Sequence, residues 1–348
     1  MTFYKEQHQV QANLTGKTSK RGNMKLLWTG LLILCLLVLS ACGQDSSNSA
    51  KMVEGKVNVV TTFYPVYAFT TAIGGEDANV INLLPTGVEP HDWTPKSQDI
   101  VNTSKAQLFF YNGAGLEGWV PNFLKSLNSD TQVKSVAVSE GVKLLTAEGD
   151  DGHGHGEEHE DEHADEATSE DVADHHTDPH TWVSPKSAMI MAENIKNSLV
   201  EADPDHKAGY EQRYEELRTK LETLDQRFTD ELATVPNKEI VVSHQAFGYL
   251  ARDYGLSQHA IMGLSPDAEP TGQDIVKLAK LVKDEGIKYI FFEELVSDKL
   301  AKTLASEAGV ETMVLNPVEG LTKEQATNGD DYFTLMEKNL QNLLIALK

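Results

Sequence analysis

Six of the chain's twelve histidines crowd into one acidic stretch. Between Glu148 and Asp178 lie fourteen acidic residues with His153, His155, His159, His163, His175 and His176, and no Lys or Arg. Imidazole suits Zn²⁺, Cu²⁺ or Ni²⁺, and surrounding carboxylates raise the local cation concentration. The stretch holds too few apolar residues to repay the entropy of ordering it. It therefore predicts a disordered loop with weak, exchangeable metal binding, an accessory to a structured site elsewhere. His159-Glu160-Asp161-Glu162-His163 matches the H-E-x-x-H pattern of zinc proteases. That pattern needs both histidines on one face of a docked helix. The Gly- and acid-rich flanks offer no such face, so the match is a product of composition. There is no G-x-S-x-G, Walker or paired-Cys zinc motif.

Five histidines remain outside the tract and the N-terminal leader: His91, His180, His206, His244 and His259. His91 stands in the loop Thr86-Gly87-Val88-Glu89-Pro90-His91-Asp92-Trp93, and His180 in Asp178-Pro179-His180-Thr181-Trp182. His244 follows the apolar run Ile240-Val241-Val242 and precedes a helical pattern. A lone loop histidine is usually a satisfied cap. Three in loop settings, beside a metal-gathering tract, point to ligands. In open α/β sheets ligands bind outside the carboxyl ends of the strands, which suits His91 and His244 to a shared cleft. His206 and His259 read as structural.

The elements that must position these residues alternate. Strand patterns at Val57–Thr61, Val80–Leu84, Gln107–Tyr111 and Val133–Val138 alternate with helical patterns at Tyr64–Ile73, Lys96–Ala106 and Leu116–Leu127. Pro185–Val200 resumes as a helix after the tract. A second alternating block has strands at Glu239–Val242, His259–Met262, Lys288–Phe292 and Thr312–Leu315. Its helices are Ala246–Tyr254, Gly272–Glu285, Asp298–Glu307 and Asp331–Leu347. Such alternation predicts parallel sheets with helical crossovers. Between the blocks, Tyr210, Tyr214, Leu217, Leu221, Leu224, Phe228 and Leu232 recur at three- and four-residue steps. That spacing predicts one amphipathic helix of about 30 residues, about 45 Å long. The fold class expected is α/β: two lobes with mostly parallel sheets flanked by helices, joined by one long rigid helix. A coiled-coil seam competes for the long helix, but only about three heptads are present.

The N-terminus carries an export address. Lys17, Lys20, Arg21 and Lys25 precede the apolar run Leu26–Leu39, which ends at Ser40-Ala41-Cys42. The run is short of the about 20 residues a bilayer span needs and has the layout of a signal peptide. Met24-Lys25 with the run is by itself a complete signal. Leu39-Ser40-Ala41-Cys42 resembles a lipobox, cleaved before a lipid-bearing Cys42. Two acyl chains on that thiol would anchor the protein stably. The expected organisation is residues 1–41 as lipoprotein signal peptide and 42–55 as flexible tether. Residues 56–203 form the N-terminal α/β lobe with 148–178 as its loop, 204–235 the linking helix and 236–348 the C-terminal α/β lobe. The chain's formal charge is −23, and an acidic body argues against nucleic acid as a partner.

The motifs together have a resemblance. Thr61-Thr62-Phe63-Tyr64-Pro65, Val88-Glu89-Pro90-His91-Asp92-Trp93, Asp178-Pro179-His180-Thr181-Trp182, Val242-Ser243-His244-Gln245-Ala246-Phe247 and Leu315-Asn316-Pro317-Val318-Glu319-Gly320-Leu321 run in order along the chain. With the lipobox, they resemble the zinc-binding lipoproteins of bacterial metal ABC importers, in the zinc/manganese solute-binding protein family. The resemblance spans essentially the whole mature chain and extends to a His/acid-rich loop before the second metal histidine. It implies His91 and His180 as ligands from the first lobe and His244 from the second. It also implies a carboxylate near the last strand, here Glu319, with Glu293 and Glu294 as alternatives. Asn316 departs from relatives that carry an Asp ligand there. Three imidazoles and one carboxylate suit tetrahedral Zn²⁺, whereas two histidines and two carboxylates would favour Mn²⁺.

The function expected is extracytoplasmic capture of Zn²⁺ in an interlobe cleft by a lipid-anchored, monomeric protein at the outer face of the cell membrane. It would deliver the ion to an ABC-type metal permease for high-affinity uptake, with no enzymatic step. The alternatives are a lipoprotein for manganese or another transition metal, a surface metal buffer or cell-adhesion protein, and a metalloenzyme whose three histidines leave a position for activated water.

Overall fold

The computed structural model describes residues 51–127, 131–146, 177–267 and 270–348. Cys42 and the six tract histidines, His153, His155, His159, His163, His175 and His176, lie outside the described residues.

The first sheet has the order β2-β1-β3-β4, from Val57–Thr61 (β1), Ala78–Asn82 (β2), Leu108–Tyr111 (β3) and Lys134–Ala137 (β4). The second repeats that topology as β6-β5-β7-β8, from Glu239–Val242 (β5), Ser257–Ala260 (β6), Tyr289–Phe292 (β7) and Glu311–Val314 (β8). All pairings between these strands are parallel. Helices cover both faces of such sheets, so central strands read as continuous apolar runs; β1 is buried at all five positions. In each sheet the chain crosses first to one side of the opening strand and then to the other. The switch points therefore lie at the carboxyl ends of β1 and β5, where such folds bind ligands.

The linking helix runs Lys207–Ala233, 27 residues, or about 40 Å. Its seven periodic apolar residues, Tyr210 through Leu232, are all buried. They pack on Pro185–Ala202 and Tyr64–Gly74 of the first lobe and on Gly248–Tyr254 and Tyr332–Ala346 of the second. That face is filled from within the chain, leaving no seam for a coiled-coil partner. One buried apolar cluster continues through both lobes by way of this helix.

Element edges differ from the sequence reading where packing overrides pattern. The strand expected at His259–Met262 lies at Ser257–Ala260, because its register is set by pairing Glu239 with Ser257 and Val242 with Ala260. Helices expected at Lys96–Ala106 and Leu116–Leu127 contract to Ser97–Thr103 and Val120–Ser126. A further helix, Lys323–Asn328, has only Gln325 buried and so lacks an apolar stripe. Its sign was the capping box in which Thr322 and Gln325 satisfy each other's backbone N–H.

Candidate metal centre

His244 and Glu319 follow strands of the second sheet, His91 lies in the loop after β2, and His180 is held against the end of β3. After β2, Leu83 and Leu84 bond back to the carbonyls of Thr61 and Thr62. Gly87, at φ +83°, then turns the chain in a conformation that favours glycine. Its N–H donates to the Leu321 carbonyl of the other lobe at 2.9 Å. The Glu89 carboxylate accepts the main-chain N–H groups of His91 (3.0 Å) and Asp92 (3.2 Å), fixing the turn that carries His91.

His180 is held by short polar side chains. Asp178 Oδ1 accepts both the His180 main-chain N–H (2.9 Å) and its Nδ1 (2.8 Å). Asn112 Nδ2 donates to the Pro179 carbonyl at 2.8 Å, tying this turn to the end of β3. Ser184 caps the helix Pro185–Ala202, its Oγ accepting from Lys186 N, and so sets where the turn after His180 ends.

His244 is two residues past β5, at the second switch point. Glu293, the first residue after β7, accepts its main-chain N–H at 3.3 Å and its Nδ1 at 2.7 Å through one oxygen, Oε1. Glu319 rides a strained loop. Asn316 Oδ1 accepts the Val318 N–H at 2.7 Å, and buried Val318 sits at φ +60°, costly for a β-branched residue. Asn339 holds the loop through both Asn316 main-chain groups, and Trp182 Nε1 donates to the Pro317 carbonyl at 2.7 Å.

These elements bring His91, His180, His244 and Glu319 to one point, their donor atoms all within 4.8 Å of one another. His180 Nε2 lies 3.2 Å from both His91 Nε2 and His244 Nε2. Glu319 Oε1 is 3.4, 3.3 and 3.6 Å from the Nε2 atoms of His91, His180 and His244. A tetrahedral ion with bonds of about 2.0–2.1 Å separates its donors by about 3.3 Å. These five separations suit a four-coordinate N₃O shell. Glu319 Oε1 is buried with no hydrogen-bond partner, an arrangement a cation would relieve.

The electrostatics favour positive charge at that point. Burial opposes ionisation of Glu319, yet the three imidazoles facing it hold its pKa well below the usual carboxylate range. Burial likewise disfavours the charged form of His180 and His244. Asp178 and Glu319 outweigh it at His180, and Glu293 with Glu319 at His244, so both pKa values are raised. Burial raises the pKa of Glu89, against the pull of His91.

The other sequence candidates fall elsewhere. Glu293 turns to the back of His244, and Glu294 Oε2 accepts from Asn316 Nδ2 (2.8 Å) and Gln325 Nε2 (2.5 Å). Asn316 spends its side chain on Val318 and Glu294, shaping the loop and not facing the cluster. His206 pairs with Asp203 and His259 with Glu239. Sequence reasoning passed over Asp178 and Trp182. The Asp-Pro-His spacing was a signal for Asp178, since Asp side chains bond the backbone two residues on; nothing local pointed to the Trp182–Pro317 bond.

The model of a family described as zinc-uptake complex component A, periplasmic, matches residues 59–346. The chain belongs to this family. The high-affinity zinc uptake system protein ZnuA of Bacillus subtilis is 42% identical over 319 residues, covering 91% of this chain and 96% of that protein. The zinc-binding protein AdcA of Streptococcus pyogenes serotype M3 is 43% identical over 314 residues, 90% of this chain. The chain spans only 60% of that relative's length. The crystal structure of the Zn(II)-bound ZnuA-like domain of Streptococcus pneumoniae AdcA superposes with a TM-score of 0.69 at 39% identity. It covers 84% of this chain and 99% of that one.

Proposed function

We propose that the chain captures Zn²⁺ between its lobes, with His91, His180, His244 and Glu319 as the four ligands, and delivers it to an ABC-type metal permease. The single observation that carries this reading is the convergence of three imidazole nitrogens and one partnerless buried carboxylate oxygen, all within 4.8 Å of one another. Zinc binds through N and O donors in this geometry without redox change. The zinc-binding names of the relatives support the choice of ion, and the two-lobed architecture supports capture. Four such donors would fill a tetrahedral shell. A hydrolase needs one position open for water, so the arrangement favours a carrier over an enzyme.

In this reading the ligands come from both lobes, so the ion pins the lobes together, and separating them at the permease releases it. Imidazoles ligate only when neutral, so loading displaces protons and acidification weakens binding. Cys42 anchors the chain by lipid to the outer face of the membrane as a monomer, and the His/acid tract gathers ions for it. Residues 56–203 and 236–348 act as the two lobes about the linking helix. Cells lacking the protein are expected to fail in zinc-depleted medium and to recover with the wild-type gene but not with His244→Ala. Full recovery by His244→Ala would overturn the reading.

A further inference from the structure

The two lobes use the same device behind one histidine each. In the first, a single oxygen of Asp178 accepts the main-chain N–H and the ring Nδ1 of His180. In the second, a single oxygen of Glu293 does the same for His244. A carboxylate facing a neutral imidazole is an acceptor only, so Nδ1 must carry the proton. That fixes the tautomer and leaves the Nε2 lone pair of each ring directed at the cluster.

Both carboxylates are expensive to keep. Asp178 is 2% exposed and Glu293 3%, and Oε2 of Glu293 is buried without a hydrogen-bond partner. Uncompensated buried charge destabilises a fold. With Glu319 they place three carboxylates around imidazoles that bind metal only in their neutral form, so a dication offsets that charge in the loaded site. Gly248, in the other lobe, keeps Asp178 in place by leaving room: a Cβ there would stand 2.3 Å from Asp178 Oδ2. Tyr249 beside it donates its hydroxyl to the Asp178 carbonyl at 2.6 Å.

We propose that Asp178 and Glu293 are positioning residues that set the strength and geometry of metal binding by fixing and polarising His180 and His244, without touching the ion. This rests on the zinc reading of the cluster. Partners behind metal-bound histidines change affinity by about 10–100-fold when removed.

The test uses the chain from Gly43 onward, with zinc affinity measured by competition against a chromogenic chelator and Co²⁺ as spectroscopic probe. Asp178→Asn and Glu293→Gln keep an acceptor in place but remove the charge. Each is expected to lower zinc affinity about tenfold or more at unchanged stoichiometry and to alter the visible cobalt bands, which report ligand field. Gly248→Ala reaches Asp178 without removing a polar group and is expected to act in the same direction. Glu239→Gln removes the carboxylate partner of His259, a pair apart from the cluster, and should match the wild type. If Asp178→Asn does not fold, Glu293→Gln decides. Wild-type zinc affinity and cobalt bands in Glu293→Gln would overturn the proposal while leaving the zinc site standing. A wild-type chain that binds neither ion would overturn both.

Discussion

Glu117 is buried at the carboxyl edge of the first sheet, where its Oε1 accepts from Thr62 Oγ1 (2.6 Å) and Asn112 N (2.7 Å). Burial pushes its pKa up to about 7, against the pull of these hydrogen bonds. The folded protein therefore keeps a proton between about pH 4.5 and 7 that the unfolded chain gives up. The stabilisation is complete at low pH and is lost as pH rises through 7. Glu117→Gln removes the dependence. The urea unfolding free energy of wild type minus variant should fall by roughly 2–3 kcal/mol between about pH 5 and pH 8. A difference independent of pH would contradict the assignment. At this scale the sequence was readable where chemistry and spacing coincide: His91 and His244 stood out as loop histidines after strands, and His180 as the histidine that follows the tract. The carboxylates divide differently. Glu293 and Glu294 are neighbours with the same side chain, and only the register of β7 turns one toward His244 and the other toward Gln325.

The linking helix is the element with the clearest pattern and the largest structural debt to its packing. Its exposed face carries charged residues paired along the helix, such as Arg218 with Glu215 and Glu222, and exposed pairs of this kind contribute little. The buried stripe holds it. Leu221 is fully buried in the cluster shared by both lobes. Leu221→Ala should cost about 2–5 kcal/mol, and urea unfolding should remain a single transition because both cores lose the same contact. Two separated transitions would show that the lobes are independent. The helix was legible because a period of 3.6 persists over seven apolar positions. Lys323–Asn328 was not, because six residues with one buried side chain carry no period, only a cap. Strand edges shifted by two residues where β6 is fixed by its partner and not by its own composition.

Across the whole molecule, two copies of one strand order present their carboxyl edges to a common point. Three histidines and a glutamate far apart in sequence meet there, their donor atoms within 4.8 Å of one another. The alternation of strands and helices made the two-lobed α/β fold readable, and the family motifs named the four residues. The placing of the carboxylate among the histidines depended on the loop Asn316–Glu319, whose positive φ at Val318 no pattern announces. We propose that this cluster, and not the His/acid tract, holds the ion. Zinc titration of the chain from Gly43 onward, beside His244→Ala and a deletion of 150–176, tests it most directly. One submicromolar zinc per chain should survive the deletion and disappear in His244→Ala. Tight binding that survives His244→Ala and vanishes with the deletion would contradict the claim.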